Sequence, residues 1–418
     1  MEGFEMGKVK VLTARQAADL IKDGDTVTLS GFVANGIAEA LNTATEERFL
    51  ETGHPKDLTL FWVAGTGNKD GSHADHYAHE GMVKKVIGGH FNFVPKICEM
   101  LSENKIEGYN VPQGAIAQML RDNAAHKVGT ISHVGIGTFA DPRNGGGRLS
   151  EKTKEDIVKV IELEGQEQLF YPRIPLDVAF IRGTYADELG NITLEKEMAP
   201  LDATSQAMAV HNNGGLVVVQ VERVVKAGHL DPKLVKIPGI YVDAVVECPA
   251  DDPKQSQSIN CTYDPAYAGN TQVPVSSLEP KKLDAKKIIG RRAAMELKKN
   301  VVVNLGVGVP EWVSSVAAEE GVADEMTLTV ECGPVGGVPG GGLRFGGSVN
   351  AQAYMDEGYQ FDFYDGGGLD LCFLGLAEVD NNGDVNVSRL GTRITGSGGF
   401  TNISSNSKKA VFCGTFTN

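Results

Sequence analysis

The sequence predicts an α/β protein made of two similar open domains with mostly parallel sheets. Three observations favour this fold: short apolar runs alternate with helix-like stretches, a polar connector divides the chain, and both halves open with the same pattern. Alternating strands and helices are typical of parallel sheets, whose strands are joined by crossover helices. We expect an active site at the interface of the two domains.

Eleven short apolar runs predict strands, and five longer stretches between them predict helices. The predicted strands span residues 25–29, 57–63, 129–133, 177–181, 191–194, 216–221, 300–304, 327–330, 361–364, 370–374 and 410–416. The predicted helices span residues 13–21, 36–50, 112–126, 283–299 and 310–320. The two kinds of element alternate along nearly the whole chain, as a parallel α/β sheet requires.

The stretch at residues 247–280 is rich in Pro, Ser, Asn and Gln and shows no sustained periodicity, which predicts a connector. A chain of 418 residues has room for a domain on each side of it. We predict an N-terminal domain at residues 1–246, a linker at 247–282 and a C-terminal domain at 283–418. The chain stops just after an apolar strand, so we expect the last domain to lack its end.

The two halves open alike. The first begins with DTVTLSGFVANGIAEAL and the second with NVVVNLGVGVPEWV. Each segment has a β-rich run, then a turn containing glycine, then a helix. This weak internal repeat predicts two similar units that face one another.

The composition excludes several classes of function. A formal net charge of −15 argues against non-specific nucleic-acid binding, which depends on a basic surface. No apolar run approaches the length of a membrane span, and the first residues do not resemble a secretory signal. The six cysteines are widely spaced and form no C-x-x-C pair, which favours a reducing compartment. We therefore expect a cytoplasmic protein.

Residues 326–347, MTLTVECGPVGGVPGGGLRFGG, are the most informative segment for chemistry. An apolar strand ends at Glu331 and runs into a glycine-rich loop. Open α/β sheets bind ligands at the carboxyl ends of their strands, and glycines there let the backbone approach a ligand closely. A carboxylate in this place can be a nucleophile, a general base or a metal ligand, or it can simply cap a turn. Position alone leaves these alternatives open.

Other short motifs have structural explanations that are at least as good. GSGG at residues 396–399 can bind an oxyanion through its amides or form a tight turn, and DGGG at residues 365–368 can be a plain turn. GIGTFA at residues 135–140 is not followed by a helix, so it is a poor dinucleotide fingerprint. The sequence has no G-x-x-x-x-G-K-[ST] phosphate loop and no G-x-S-x-G elbow.

Two clusters carry reactive residue types without indicating a site. His73, His76 and His79 are spaced by three, yet their polar segment is more typical of an exposed helix turn than of a metal centre. Cys332 adjoins Glu331 but has no base or cation near it in sequence, which favours a small packing residue over a nucleophile. We therefore expect no metal.

ECG followed by a glycine-rich loop, with GSGG about sixty-five residues further on, resembles the family I CoA-transferases, and most of all their acetate/propionate group. The likeness covers nearly the whole chain and keeps the family's order. Its segments are LSGFVANGIAEAL, NVPQGAIAQMLR, DVAFIRGTYADELGNITLEKE, NLGVGVPEWV, VECGPVGGVPGGG and GSGGFTNISSNSKKAVF. Each fragment is weak alone, but six in order make chance agreement improbable.

The resemblance implies roles for particular residues. Glu331 matches the glutamate that forms a glutamyl-CoA thioester, and many relatives have Asn or Ser where this chain has Cys332. Gln113 matches a glutamine close to the reacting carbonyl. The motif associated with oxyanion stabilisation matches Gly396, Gly398 and Gly399. The CoA site is expected to include Gly306, Gly308, Gly333, Gly336 and Gly337.

The implied reaction is a ping-pong exchange of CoA between a short-chain acyl-CoA, such as acetyl-CoA or propionyl-CoA, and a carboxylic acid. No tightly bound cofactor is expected, because CoA is both substrate and part of the covalent intermediate. A glutamate near its ordinary pKa of about 4.3 would be ionised at neutral pH. Because CoA carries several negative charges, a chain of net charge −15 must supply amide donors or a local basic patch.

The family also implies a homo-oligomer, either a dimer or a tetramer, that acts in short-chain fatty acid metabolism. Two alternatives stay open. An acyl-CoA hydrolase on the same fold would need only better access of water to the acyl intermediate. A non-catalytic ligand-sensing protein on a related fold would need neither the strand-end glutamate nor the glycine turn.

Overall fold

The computed structural model describes residues 7–275 and 279–415. In chain order the strands before the connector are β1 Lys10–Leu12, β2 Thr26–Leu29, β3 Leu58–Trp62, β4 Val83–Gly88, β5 Glu107–Asn110, β6 Gly129–Ser132, β7 Lys159–Leu163, β8 Gln166–Pro172, β9 Val178–Arg182, β10 Tyr185–Asp187, β11 Ile192–Thr193, β12 Leu216–Val221, β13 Arg223–Val225, β14 Val235–Ile237 and β15 Ala244–Glu247. The helices of this half are α1 Ala14–Ala18, α2 Glu39–Thr52, α3 Pro95–Ser102, α4 Gln113–Ala124 and α5 Ala203–Asn212.

The second half has shorter elements. Its strands are β16 Val302–Leu305, β17 Thr327–Thr329, β18 Pro334–Val335, β19 Val338–Pro339, β20 Ser348–Val349, β21 Ala353–Tyr354, β22 Leu371–Gly375, β23 Glu378–Val379, β24 Val385–Asn386, β25 Arg389–Leu390, β26 Arg393–Ile394 and β27 Ala410–Cys413. Its helices are α6 Ala285–Ala294, α7 Glu311–Glu319, α8 Glu357–Asp365 and α9 Phe400–Asn406.

The first half is organised around an eight-stranded sheet in the order β1-β15-β12-β9-β2-β3-β4-β5. All neighbouring strands in it run parallel. Every residue of β3 and β9 is buried, which is typical of parallel strands covered on both faces. The strand order reverses between β2 and β9. Such a switch point leaves a crevice at the carboxyl ends of the strands.

The second half is organised around a six-stranded sheet in the order β21-β18-β17-β16-β22-β27. Four neighbours in it, β17, β16, β22 and β27, are parallel, whereas β18 and β21 extend the edge in antiparallel fashion. The order reverses at β16. The two sheets confirm the prediction of two similar, mostly parallel α/β units.

One hydrophobic cluster spans the two halves. Phe361, Tyr364 and Ile403 of the second half pack in the same buried cluster as the apolar face of α4. The Gly114 N–H at the start of α4 donates to Asn402 Oδ1 of α9 at 3.1 Å. A Cβ at Gly114 would lie 2.4 Å from Asn402 Nδ2, so glycine is needed for this close approach. Helices α4, α8 and α9 therefore hold the two sheets together.

The prediction of a strand at residues 361–364 is wrong. These residues lie within α8, where Phe361 and Tyr364 are buried and Phe363 is partly exposed. Buried positions three residues apart indicate a helix, and this spacing outweighs the strand preference of aromatic residues. The other ten predicted strands and all five predicted helices occur. The strand at residues 216–221 has the predicted ends and the others have altered ends; residue 416 of the last strand lies outside the described residues.

The connector is folded onto the first half. Its backbone at Ser258 forms a β-bridge with Asn35, and Gln257 Nε2 donates to the Lys196 carbonyl oxygen at 2.8 Å. Residues 276–278 of the connector lie outside the described part of the chain. The exact domain boundaries stay a prediction. None of the helices in the described ranges has the length and apolar character needed to cross a bilayer.

Candidate active site

A cleft of about 420 Å³ opens between the carboxyl ends of the two sheets. From the first half it is lined by residues that follow β2, β3, β4 and β5, namely Phe32, Gly65, His90 and Gln113. From the second half it is lined by residues that follow β16, β17 and β22, namely Gly306, Glu331 and Leu376. This is the place where open parallel sheets bind ligands, and it confirms the predicted site at the interface.

Glu331 is buried at the inner part of this cleft, with 6% of its surface exposed. Asn304 Nδ2 of β16 donates to Glu331 Oε2 at 3.3 Å. Burial raises the pKa of the Glu331 carboxyl group to about 7, and hydrogen bonds from the backbone and from Asn304 offset only part of that rise. The expectation that this glutamate ionises near 4.3 is therefore wrong, because it neglects desolvation.

A polar network positions Asn304. Its Nδ2 atom is also 3.3 Å from the Tyr364 hydroxyl oxygen. The Tyr364 hydroxyl donates to Thr329 Oγ1 at 2.8 Å and accepts from Gln360 Nε2 at 2.9 Å. Because all four side chains are buried, their bonds hold Asn304 against the Glu331 carboxylate.

Gln113 begins α4 and is buried beside the cleft. Its Nε2 atom donates to Glu357 Oε1 at 2.5 Å, and its backbone N–H donates to the Gly398 carbonyl oxygen at 3.1 Å. The structure thus brings the predicted glutamine, the glycine turn and Glu331 to one cleft, although they lie far apart in sequence.

Glu357 and Asp202 form a buried carboxyl pair behind Gln113. Their side chains are hydrogen-bonded to each other, so one of the two must carry a proton. Desolvation, followed by the negative charge of Asp202, raises the pKa of Glu357 well above its usual range. The charge of Glu331 raises it further. Burial and mutual repulsion therefore favour one proton held between Glu357 and Asp202.

The turn at Gly396, Gly398 and Gly399 lines the cleft, but its amides are not equivalent. The Gly396 N–H donates to the Ser388 carbonyl oxygen at 2.8 Å, and the Gly398 N–H donates to the Gly89 carbonyl oxygen at 2.7 Å. Within the described chain, the Gly399 N–H has no acceptor. Gly396 and Gly398 have φ angles of +75° and +54°, a conformation that favours glycine. They shape the turn, and Gly399 alone of the three offers a free amide.

The five glycines expected at a CoA site separate into two groups. Gly306 lines the cleft, whereas Gly308 is exposed next to it and donates its N–H to Glu311 Oε1 at 2.8 Å. Gly333, Gly336 and Gly337 do not line the cleft. A Cβ at Gly333 would lie 2.2 Å from the Met355 carbonyl oxygen, so close backbone packing explains that glycine. The structure favours a packing role for these last three.

The remaining motifs have structural roles. The DGGG motif ends α8, and Asp365 accepts hydrogen bonds from Asn402. Cys332 is buried, and its thiol donates to the Gly346 carbonyl oxygen at 3.1 Å. Burial raises the pKa of that thiol well above its usual range, so it is not a thiolate.

The histidine segment is not the exposed turn that the sequence indicates. Residues His73–Tyr77 form a short 3-10 helix in which His73 is fully buried. His76 Nε2 pairs with Glu39 Oε1, and His79 Nε2 pairs with Glu46 Oε1, each at 2.8 Å. Carboxylates of α2 therefore hold the imidazoles of His76 and His79.

Several residues of the site gave no signal in the sequence. His90 lines the cleft, and burial, assisted by the charge of Lys69, lowers its pKa to about 4, so the imidazole is neutral. Asn304, Asp202 and Glu357 act only through contacts with distant parts of the chain. The one sequence signal for Asn304 is its place near the end of β16, directly before a glycine turn, where parallel sheets bind ligands.

The geometry defines a class of enzyme. A desolvated carboxylate faces a cleft that also holds a free backbone amide and a buried glutamine, between two α/β units. Such a set suits covalent acyl chemistry, in which a carboxylate attacks a carbonyl group and amides stabilise the oxyanion.

Comparison with known proteins identifies the family. The sequence profile of the coenzyme A transferases matches residues 11–248. Acetate CoA-transferase YdiF of Escherichia coli K12 is 44% identical over 414 residues, which cover 98% of this chain and 77% of that protein. Caffeate CoA-transferase of Acetobacterium woodii is 43% identical over 412 residues, which cover 97% of this chain and 78% of that protein. The chain therefore belongs to the coenzyme A transferase family and is a CoA-transferase.

A solved structure agrees with the fold. The crystal structure of the YdiF acyl-CoA transferase from Escherichia coli O157:H7, in a thioester complex with CoA, superposes with a TM-score of 0.91. The two sequences are 42% identical, and the superposition covers 98% of this chain and 81% of the YdiF chain. The two-domain arrangement is the same in both.

Proposed function

We propose that this enzyme carries CoA between two carboxylic acids as a thioester on Glu331. The observation that carries the proposal is the buried Glu331 carboxylate, which shares one cleft with the free Gly399 N–H and with Gln113. Burial supports a covalent role in two ways. It makes the carboxylate more reactive than a hydrated one, and it keeps water away from the anhydride and the thioester.

The reaction proceeds in two balanced steps. A Glu331 carboxylate oxygen bonds to the thioester carbonyl carbon of acyl-CoA, the C–S bond breaks, and an acyl-glutamyl anhydride and CoA thiolate result. The thiolate then attacks the glutamyl carbonyl carbon, and the acid leaves with one oxygen that came from Glu331. Glutamyl-CoA remains, and a second carboxylate reverses both steps to leave as its own CoA ester.

Each step passes through a tetrahedral oxyanion. The Gly399 N–H and the Gln113 side-chain amide are the proposed stabilisers, with Gly396 and Gly398 fixing the turn that presents Gly399. Loss of one such donor typically costs about 3–4 kcal/mol of transition-state stabilisation. Glu357 accepts the hydrogen bond that holds Gln113 in place, and the proton shared by Glu357 and Asp202 reduces the negative charge beside Glu331.

The proposed substrates are short-chain acids and their CoA esters, such as acetate, propionate, acetyl-CoA and propionyl-CoA. Support comes from the relative named as an acetate CoA-transferase, at 44% identity. We also propose a cytoplasmic homo-oligomer, a dimer or tetramer. All six cysteines lie in the described ranges and are free thiols, which is consistent with a reducing compartment.

Intact-mass spectrometry tests the thioester. After incubation with acetyl-CoA, the full chain should gain the mass of CoA less one water. Glu331→Ala should abolish this gain because the nucleophile is lost. Cys332→Ala, the matched control at the next position, should keep it. An adduct that survives Glu331→Ala and disappears with Cys332→Ala would overturn the proposal.

Assays with and without an acceptor acid separate a transferase from a hydrolase. A transferase should consume acetyl-CoA at a rate that depends on added propionate and should form propionyl-CoA. Release of free CoA at a rate independent of propionate would identify a hydrolase instead.

A further inference from the structure

One positively charged side chain lines the cleft. Of the described residues around it, Arg393 is the only lysine or arginine. It lies on β26, in a hairpin with β25 where Leu390 pairs with Arg393, and its side chain is exposed. Glu331 is buried in the same cleft, so the cleft has a buried reactive part and an open part that carries a cation.

Arg393 has free hydrogen-bonding capacity. Its Nη2 atom donates to Asn92 Oδ1 at 3.1 Å, and Asn92 also lines the cleft. No carboxylate of the described chain lies within 4.0 Å of its guanidinium group. The neutral amide orients the guanidinium without neutralising it, so its remaining N–H groups can bind an anion.

A second cation lies beside the same wall. Lys69 Nζ is 5.9 Å from the centre of the Phe93 ring, and Phe93 lines the cleft next to Asn92. The charge of Lys69 also reaches His90, whose pKa it helps to lower. Lys69 is thus a second cation close to residues that line this opening, in a chain of net charge −15.

We propose that Arg393 binds a phosphate group of the CoA nucleotide. This inference rests on the proposed function, since it assumes that the thioester end of the same CoA reaches Glu331. A guanidinium group suits phosphate because its planar N–H groups can make two parallel hydrogen bonds. The carboxylate of a short acid is a poorer candidate, because that acid must react at the buried Glu331 whereas Arg393 is exposed.

The test compares Arg393→Gln with Arg389→Gln. Arg389 is a matched control on β25 of the same hairpin: it is exposed, but it does not line the cleft, and its guanidinium donates to the Gly391 and Leu149 carbonyl oxygens. Three donors are used: acetyl-CoA, acetyl-3′-dephospho-CoA and S-acetylpantetheine, which has no phosphate. The readout is kcat/KM with propionate as acceptor, with thermal midpoints to verify folding.

Arg393→Gln should lower kcat/KM for acetyl-CoA by about ten- to a hundredfold, the usual weight of a hydrogen bond to a charged group. With S-acetylpantetheine the variant and the wild type should be equal. Acetyl-3′-dephospho-CoA shows which phosphate Arg393 binds. If Arg393→Gln still has a lower kcat/KM than the wild type with this donor, the contact is to the diphosphate. If the two proteins have equal kcat/KM with it, the contact is to the 3′-phosphate. Arg389→Gln should match the wild type with all three donors.

An equal loss with acetyl-CoA and S-acetylpantetheine would overturn the inference, because Arg393 would then act on the acyl end or on the fold. No loss with acetyl-CoA would overturn it as well. Calorimetric binding of CoA and of pantetheine separates this inference from the proposed function. If CoA binding weakens in Arg393→Gln, pantetheine binding does not, and no adduct forms on the wild type, the phosphate contact stands and the covalent mechanism fails.

Discussion

At the scale of single residues, Glu331 is placed where ionisation is costly. Burial raises the pKa of its carboxyl group to about 7, and only the carboxylate can attack a thioester. We expect kcat/KM to fall about tenfold per pH unit below 7 and to be level above it. S-acetylpantetheine is the best donor for this profile because it has no phosphate that titrates nearby. A profile that is flat from pH 5 to 8 would contradict the assignment.

The same burial predicts a link between stability and pH. A carboxyl group whose pKa rises from 4.5 to about 7 on folding supports the fold below pH 4.5, and this support is lost as the pH rises to 7. The glutamine in Glu331→Gln does not titrate. The free energy of unfolding of this variant, minus that of the wild type, should therefore increase by about 3 kcal/mol as the pH rises from 4.5 to 7.

Denaturant unfolding of the wild type and Glu331→Gln at several pH values measures this difference. The difference in free energy of unfolding between the two proteins should become constant above pH 7. A difference that is constant between pH 4.5 and 8 would show that the Glu331 pKa is not raised.

Contiguous motifs singled out Glu331 and the glycine turn, whereas Gln113 was implied only by the family resemblance. The sequence did not predict the Asp202–Glu357 pair or the neutral His90, since nothing local distinguishes these residues. Burial and long-range contact define their chemistry. The same reason explains why the pKa of Glu331 could not be read from its motif.

At the scale of elements, the contact of α4 with α8 and α9 depends on a small residue. In Gly114→Ala, the new Cβ would lie 2.4 Å from Asn402 Nδ2 and 2.7 Å from a Phe361 ring carbon. We expect a loss of about 1–3 kcal/mol in free energy of unfolding, because overpacking outweighs the better helix propensity of alanine. The turn before α9 should also shift and lower the transfer rate.

Gly358→Ala is the matched control for this prediction. Gly358 is likewise the second residue of its helix, but its Cβ would meet only the flexible Arg121 side chain, at 3.3 Å or more. Its stability should be unchanged or higher by up to about 1 kcal/mol. If both variants are equally stable in urea unfolding, the packing argument at α4 is wrong.

Most elements could be predicted from periodicity, and the failures have local causes. Residues 361–364 look like an aromatic strand but use a helical spacing, with Phe361 and Tyr364 on one buried face. The two-residue strands β23 to β26 have too few residues for any period to show. The hairpin that carries Arg393 was missed for this reason.

At the scale of the whole molecule, the sheets face each other across the cleft, and one hydrophobic cluster spans both halves. The chain's two tryptophans report on different halves: Trp62 lies in β3 and Trp312 in α7. In Trp312→Phe the remaining Trp62 reports on the first half, and in Trp62→Phe the remaining Trp312 reports on the second half. For each variant we expect the midpoint of thermal unfolding measured by fluorescence to equal the midpoint measured by calorimetry. Two separate transitions would show that the halves unfold independently.

The general architecture was predictable because alternation and the repeated openings act along the whole chain. The sequence predicted that an acidic CoA enzyme needs amide donors or a basic patch for CoA, but it did not predict that Arg393 lies at the cleft. The location of Arg393 depends on how the β25–β26 hairpin folds over the end of β4, which brings Arg393 to Asn92. Sequence reasoning had no means to find that contact.

The most direct test of the central claim follows oxygen atoms through Glu331. Glutamyl-CoA enzyme, prepared with acetyl-CoA and freed of small molecules, is mixed with acetate labelled with ¹⁸O in both carboxyl oxygens. The mechanism predicts that one ¹⁸O atom enters the Glu331 side chain in a single turnover, detected in the peptide that contains it. Formation of labelled acetyl-CoA without any label in Glu331 would contradict the claim that its carboxylate is the covalent carrier.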